Sequence, residues 1–123
     1  MTSAWPDGVE TFSFVLYLKP GAAAEYRRRH DELWPEMRDL LLSSGILHYE
    51  ICLHAETNML FACIARRRDH TMDRIADHPV GRRWRVHMAD ILETVDGVVP
   101  RVEPLERMFS LTAKEARGAT GED

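Results

Sequence analysis

Residues 10–18 read Glu-Thr-Phe-Ser-Phe-Val-Leu-Tyr-Leu, and the pattern of apolar residues changes just after them. Within this stretch the apolar residues alternate with Thr11, Ser13 and Tyr17, which predicts a β-strand with one face on a core. From Ala22 onward the apolar positions recur every three or four residues, which predicts a long helix. The face of that helix carries Tyr26, His30, Leu33, Trp34, Met37, Leu40 and Leu41. The chain is therefore expected to begin with a strand followed directly by a helix.

Pro35 lies inside the predicted helix, where it removes one backbone donor, so we expect the helix to bend or break over residues 31–34. Gly45 follows the helix in a position suited to a left-handed cap. The later elements are predicted, in chain order, as a strand over 46–54, a hairpin turn over 55–58, a strand over 59–65, a helical region broken at His78-Pro79, and a last strand over 105–111.

This order predicts an α+β protein with a ferredoxin-like βαββαβ arrangement, in which two helices cover one face of a four-stranded sheet. Strand 46–54 carries apolar residues on both faces. One face holds Leu47, Tyr49, Ile51 and Leu53, and the other holds Ile46 and Cys52. Because the second face also needs cover, we expect a homodimer. We place this single domain at residues 10–112, between flexible segments at 1–9 and 113–123.

Composition narrows the class of protein. The chain has 123 residues, 45% of them hydrophobic, and a formal net charge of −4, which fits one globular domain. Without an overall basic field, nucleic acid is not expected as a partner. No apolar run approaches the roughly 20 residues of a membrane helix and no signal-peptide pattern is seen, so we expect a cytoplasmic protein with no membrane partner. Cys52 and Cys63 are predicted to be reduced core residues.

Tyr26 and His30 stand four residues apart on the predicted helix, so two polar side chains point inward together. One interpretation is structural: both are buried, and each polar tip bonds to the backbone. The other is a pocket between helix and sheet in which His30 carries a proton, since its unperturbed pKa of roughly 6.5 allows either protonation state near neutral pH. Spacing alone leaves both interpretations open.

Tyr49 and Trp84 are further candidates, one in the strand under the helices and one on the second helix. Taken alone, each is better explained as a core aromatic, although an aromatic face also packs well on a sugar ring. The remaining histidines lack the spacing of metal ligands, so no metal site is expected. Residues 66–68 are three arginines, interpreted as a solvated rim or, alternatively, an anion site. No phosphate-binding glycine loop or serine-hydrolase motif occurs.

Several short motifs occur along the chain in a characteristic order. They are Leu18-Lys19-Pro20-Gly21, Glu25-Tyr26 to His30, Trp34-Pro35-Glu36, Gly45 to Tyr49, Glu56-Thr57-Asn58 with Leu60-Phe61, Asp77-His78-Pro79-Val80, and Trp84 with His87-Met88-Ala89-Asp90-Ile91. In this order and spacing, residues 12–111 resemble the L-rhamnose mutarotase family. The resemblance implies a dimeric α+β barrel of ferredoxin-like units and an isomerase that interconverts the α and β anomers of L-rhamnose.

The resemblance also implies roles for individual residues. His30 corresponds to the proton donor, Tyr26 and Tyr49 to substrate-binding residues, and Trp84 to the first of a pair of tryptophans that contact the sugar. Arg85 stands where the family has the second tryptophan, and residues 95–100 replace the family's Asn-Pro-Asp-Asn-Ser-Pro stretch with Val-Asp-Gly-Val-Val-Pro. Both changes bear on the substrate more than on the fold.

The leading hypothesis is therefore a cofactor-independent mutarotase acting on L-rhamnose or a similar deoxyhexose. A second hypothesis keeps the dimeric barrel but assigns another proton transfer or cyclisation on a non-sugar substrate, because Arg85 removes half of the aromatic platform. A third is a ligand-binding or interaction module without catalysis. The sequence leaves open which sugar is preferred, and whether Tyr26 or water is the second proton carrier.

Overall fold

A computed structural model of the chain describes residues 8–111 and residue 113. Its elements, in chain order, are β1 (Val9–Tyr17), α1 (Ala23–Asp31), α2 (Pro35–Ser43), β2 (Ile46–His54), β3 (Met59–Arg67), a 3₁₀ helix (Met72–Asp77), α3 (Pro79–Met88) and β4 (Val102–Pro104). β1 begins one residue before the predicted domain boundary. The flexibility predicted for residues 1–9 and 113–123 falls almost entirely outside the described residues and stays a prediction.

The four strands form one antiparallel sheet in the order β2-β3-β1-β4. Phe14 pairs with Ala62 and Leu16 pairs with Leu60 across β1 and β3, so these apolar side chains share one face. The helices cover that face, because residues of α1 and α3 belong to the same buried cluster as the strand residues. The predicted α+β class and ferredoxin-like topology are confirmed.

Pro35 breaks the predicted long helix, as expected. α1 ends at Asp31 and α2 begins at Pro35, which stands at the first helical position, where a missing N–H costs nothing. Gly45 then adopts a φ of 108°, the left-handed cap predicted for it. Because of this break, His30 and Trp34 lie on either side of the bend between α1 and α2.

The second helical region is also interrupted where predicted, at His78-Pro79. The 3₁₀ helix packs on α3 so closely that a Cβ at Gly81 would collide with the carbonyl oxygen of Ile75. The side chain of His78 caps α3 by accepting a bond from the Val80 amide at 3.1 Å. This packing holds the first turn of α3, which leads to Trp84 and Arg85.

The predicted last strand is wrong in position. The structure places β4 at Val102–Pro104, just before the predicted strand, and residues 105–111 form no strand. The alternation after Pro104 therefore does not reflect a buried face: Met108 and Phe109 are 85% and 80% exposed. The backbone bonds to the sheet end with the Leu105 amide, which donates to the Ser13 carbonyl oxygen at 2.9 Å, and beyond it the Arg107 side chain donates to Oγ1 of Thr11.

Two further predictions need correction. Cys52 and Cys63 are free and exposed, because their positions in β2 and β3 put them on the face of the sheet that the helices leave open. Ile46 is buried in the core with Tyr49, not on the opposite face, because a register shift between Ile46 and His48 changes the alternation. Across the described residues, every helix is too short or too polar to cross a membrane.

Candidate active site

A cavity of about 1100 Å³ lies between the helices and the covered face of the sheet. Its walls come from the sheet on one side and from α1, α2, the 3₁₀ helix and α3 on the other, and Thr94, Val98 and Pro100 also line it. All five residues singled out from the sequence line it: Tyr26, His30, Tyr49, Trp84 and Arg85. The structure thus brings together side chains that are up to 59 positions apart in the chain.

Tyr26 and His30 stack on one another along α1, with ring centroids 4.3 Å apart. His30 in turn meets the ring of Trp84 edge-on, with centroids 5.6 Å apart. The imidazole is therefore held between a phenol on its own helix and an indole on α3. The contact with Trp84 on α3 orients the His30 ring, which the four-residue spacing from Tyr26 on α1 could not do alone.

The protonation of His30 follows from its hydrogen bond. Its Nδ1 donates to the Tyr26 carbonyl oxygen at 3.0 Å, and since a carbonyl can only accept, the Nδ1 atom carries the hydrogen. Nε2 is then the free lone pair of the neutral ring. Burial lowers the pKa of His30 below its ordinary value, against smaller upward effects of the Tyr26 carbonyl and Asp31. The ring is therefore neutral near pH 7, with a proton-accepting nitrogen available to a ligand.

The two tyrosine hydroxyls are unusual because neither has a hydrogen-bond partner within the described residues. Tyr26 is only 8% exposed. Burial raises the pKa of the Tyr26 phenol, with a smaller contribution from Tyr49, and raises that of Tyr49 to about 12. Both phenols thus keep their protons at neutral pH. A buried hydroxyl without a partner is costly, so these groups point to a ligand or water in the cavity.

This observation separates the two interpretations of the Tyr26 and His30 pair. The structural interpretation requires a backbone partner for each polar tip. His30 has one, but the Tyr26 hydroxyl has none between residues 8 and 111. The hydroxyls of Tyr26 and Tyr49 are left to meet a polar molecule, and His30 offers its second nitrogen to the same space.

An aromatic cluster that the sequence did not predict stands behind this wall of the cavity. Trp34 meets Trp84 edge-on at 5.0 Å between centroids, and His87 contacts both rings at 5.2 Å and 5.4 Å. In the sequence, this cluster was indicated by the four-residue spacing of Trp34 from His30, which is typical of one helix face. The cluster could not be predicted from that spacing, because α1 ends between the two residues. The cluster fixes the plane of Trp84 beside His30.

Arg29 is a second residue that the sequence did not single out. Its guanidinium bonds to Glu25 on its own helix at 2.7 Å, to Asp90 at 2.8 Å and 3.2 Å, and to the carbonyl oxygen of His87 at 2.6 Å. Its side chain is only 11% exposed. Arg29 therefore joins α1 to the end of α3, immediately beside His30.

Other candidates do not contribute to the cavity. Arg66, first of the three arginines at 66–68, is ion-paired with Glu10 at 2.8 Å and stacks over Phe12. Arg67 pairs with Asp69 at 3.0 Å and Arg68 with Glu10 at 3.5 Å, which favours the interpretation as a rim. Within the described part of the chain, no three His, Cys, Asp or Glu side chains come together as a group that could hold a metal.

Comparisons with known proteins agree on one family. A sequence model described as L-rhamnose mutarotase matches residues 11–111. The chain belongs to the L-rhamnose mutarotase family. An L-rhamnose mutarotase of Rhizobium johnstonii is 51% identical over 84% of this chain and 97% of its own length, and one of Jannaschia sp. is 48% identical over 84% and 99%.

A solved structure supports the same assignment. The crystal structure of L-rhamnose mutarotase FA22100 from Formosa agariphila superposes with a TM-score of 0.77 at 34% identity, covering 84% of this chain and 99% of the other. The family resemblance inferred from the ordered motifs is confirmed, and with it the enzyme class, a carbohydrate isomerase. The individual roles of the five cavity residues remain predictions.

Proposed function

We propose that this protein interconverts the α and β anomers of L-rhamnose or a similar deoxyhexose without a cofactor. The observation that carries the proposal is the group of Tyr26, His30 and Tyr49 in one cavity, where two hydroxyls and one imidazole nitrogen have no partner among the described residues. Hydroxyl donors suit a sugar, whose oxygens accept hydrogen bonds. Trp84 offers an apolar surface for the C–H face of the ring.

The reaction requires only the movement of a proton. In the proposed mechanism, Nε2 of His30 takes the proton of the anomeric hydroxyl as C1 forms a carbonyl and its bond to the ring oxygen breaks. The ring oxygen leaves with the electron pair of that bond, and the imidazolium donates the proton to it. Rotation about the C1–C2 bond presents the other face of the aldehyde, and the reverse steps close the ring. His30 thus first accepts a proton and then donates it. The second step is the proton-donor role predicted for it.

The tyrosines bind and orient the sugar in this scheme. Because their raised pKa values keep both hydroxyls protonated, each can donate a hydrogen bond to a sugar oxygen throughout the reaction. The developing negative charge on the ring oxygen is a suitable acceptor for such a bond.

The test is His30→Ala, assayed as anomer exchange of L-rhamnose. Loss of the positioned base should lower kcat/KM by about 10² to 10⁴-fold while the melting temperature changes little. His54→Ala is the matched control, since His54 is an exposed histidine that does not line the cavity. Equal loss in both variants, or full activity of a folded His30→Ala protein, would contradict the assignment.

We also propose a homodimer formed through the open face of the sheet. Phe61 and the two cysteines lie exposed on that face, and beyond β4 the chain presents Met108, Phe109 and Leu111 at 78–85% exposure. Such exposed apolar side chains favour an interface between copies. The cytoplasmic location stays a prediction of the sequence.

A further inference from the structure

Trp34 is a half-buried tryptophan that neither the core nor the cavity explains. It stands between α1 and α2, directly before Pro35. Its carbonyl oxygen accepts from the amides of Met37 and Arg38 at 3.0 Å and 2.9 Å, so the first turn of α2 fixes its backbone. Among the described residues, its side chain belongs neither to the buried cluster nor to the cavity wall. The position of this large aromatic side chain therefore has another cause.

The ring of Trp34 packs on α3. It stands nearly perpendicular to the ring of Trp84, at an interplanar angle of 85° and with the centroids 5.0 Å apart. His87 follows Trp84 by three positions, and its ring lies 5.2 Å from that of Trp34 and 5.4 Å from that of Trp84. Aromatic pairs at these separations attract one another beyond the area that they bury. Trp34 and His87 therefore both stabilise one orientation of the Trp84 ring.

Both of these residues are attached to fixed points of the structure. The carbonyl oxygen of His87 accepts from Arg29 at 2.6 Å, and Asp90 holds the same guanidinium at 2.8 Å. The backbone of Trp34 is fixed by α2. By contrast, the helix backbone does not by itself set the plane of the Trp84 indole, because the second side-chain torsion of a tryptophan is broad. Contacts from outside the helix must set that plane.

Trp84 connects these outer rings with the cavity. It lines the cavity, whereas Trp34 and His87 are not among the described residues that do so. Its ring also meets that of His30, at an angle of 88° and with the centroids 5.6 Å apart. Trp84 thus contacts two rings outside the cavity and the proposed catalytic histidine inside it.

We propose that Trp34 and His87 are positioning residues that hold the ring of Trp84 in the orientation that binds the sugar. Neither touches the substrate. Without their contacts the indole is free to turn, and the sugar must order it on binding, which weakens binding. The proton transfer depends on His30, whose bond to the Tyr26 carbonyl remains, so KM should change more than kcat. This inference rests on the proposed mutarotase function and adds two residues to it.

The experiment is a double-mutant cycle of Trp34→Ala and Trp84→Ala. Anomer exchange of L-rhamnose gives KM and kcat, and calorimetry gives Kd for methyl L-rhamnoside, which cannot open. Trp34→Ala alone should raise KM and Kd about fivefold and change kcat less than about twofold. In a protein that already carries Trp84→Ala, the same substitution should change KM and Kd by less than about 1.5-fold, because the ring through which it acts is gone.

His87 provides a second series that does not disturb the interior, because its side chain is exposed. His87→Ala should raise KM about threefold, and His87→Phe, which keeps a ring but cannot titrate, should restore the wild-type value. Val86→Ala is the matched control, since Val86 is exposed on α3 beside His87 and is not among the described residues lining the cavity. If Trp34→Ala does not fold, the His87 variants decide, with and without Trp84→Ala.

The outcomes separate the inference from the function beneath it. A rise in KM that requires Trp84, together with rescue by His87→Phe, supports the inference. It is overturned if Trp34→Ala has the same effect with and without Trp84, if kcat falls while KM is unchanged, or if His87→Phe is as impaired as His87→Ala. In each of these cases wild-type exchange of L-rhamnose still supports the proposed function. A wild-type protein that does not accelerate exchange overturns the proposed function and the inference with it.

Discussion

His30 owes its proposed chemistry to two features of its immediate surroundings. The Tyr26 carbonyl assigns the hydrogen to Nδ1, and burial keeps the ring neutral near pH 7. The sequence placed His30 and Tyr26 on one helix face, and that prediction is confirmed. It could not assign the tautomer, because that depends on where the ring turns after the helix forms. Nor could it show that the Tyr26 hydroxyl lacks a partner in the part of the chain that the structure describes.

The activity should depend on pH through His30. Because neutral imidazole is the working form and its pKa lies below the ordinary 6.5, kcat/KM should be flat around pH 7 and fall as the pH drops below 6.5. The free energy of unfolding should fall over the same range, since the unfolded chain binds this proton more tightly. A pH–rate profile checks the first point and denaturant titration the second. A rate that rises on acidification would contradict the neutral form.

At the level of secondary structure, the site depends on how α1 meets α3. Arg29 joins them through Asp90 and the His87 carbonyl, and this contact sets His30 against Trp84. Periodicity predicted both helices and the two interruptions near Pro35 and Pro79. It could not predict the Arg29 bridge, whose partners lie 58 and 61 positions away.

Arg29→Met should therefore destabilise the protein and disturb the site. We expect a loss of about 2 kcal/mol in the free energy of unfolding, because Asp90 and the His87 carbonyl lose a charged donor. We also expect a fall in kcat larger than the change in KM, since His30 shifts relative to the sugar. Urea unfolding and exchange kinetics measure the two effects.

Arg28→Met is the matched control for this variant. Arg28 is exposed, and among the described residues its side chain bonds only to Glu25 and Glu32 at its own helix, so its loss should have little effect. If the two variants have the same stability and activity, Arg29 does not position the site.

The strand predictions show where local pattern is insufficient. Residues 105–111 alternate like a strand but do not pair, whereas β4 forms over Val102–Pro104 in a stretch that carries no such pattern. β4 exists because residues 14–16 of β1 offer a free edge there. The burial of Ile46 likewise depends on a register shift against β3, which is a property of two strands and not of one.

At the scale of the whole molecule, the main feature is the sheet face that the helices leave open, because a single chain does not cover it. Sequence alternation predicted a second apolar face on β2, but that face carries His48, Glu50 and His54 beside Cys52. Phe61 on β3 is exposed on that face, and Met108, Phe109 and Leu111 are exposed in the chain after β4. A partner copy would cover these side chains.

Phe61→Lys should weaken the proposed dimer. A charge placed at the centre of the open face would be buried without a partner on association, so sedimentation velocity should show a shift toward monomer. Val86→Lys is the control, since Val86 is 62% exposed on α3, away from the sheet. A wild-type protein that sediments as a monomer at all accessible concentrations would refute the dimer.

The most direct test of the central claim is two-dimensional exchange NMR on L-rhamnose with and without the protein. The proposed mechanism predicts cross-peaks between the α and β anomeric protons that grow faster with enzyme, in proportion to its concentration. Methyl L-rhamnoside, which has no anomeric hydroxyl to deprotonate, should show no exchange and should inhibit that of L-rhamnose. Exchange of L-rhamnose at the uncatalysed rate in the presence of folded protein would contradict the account.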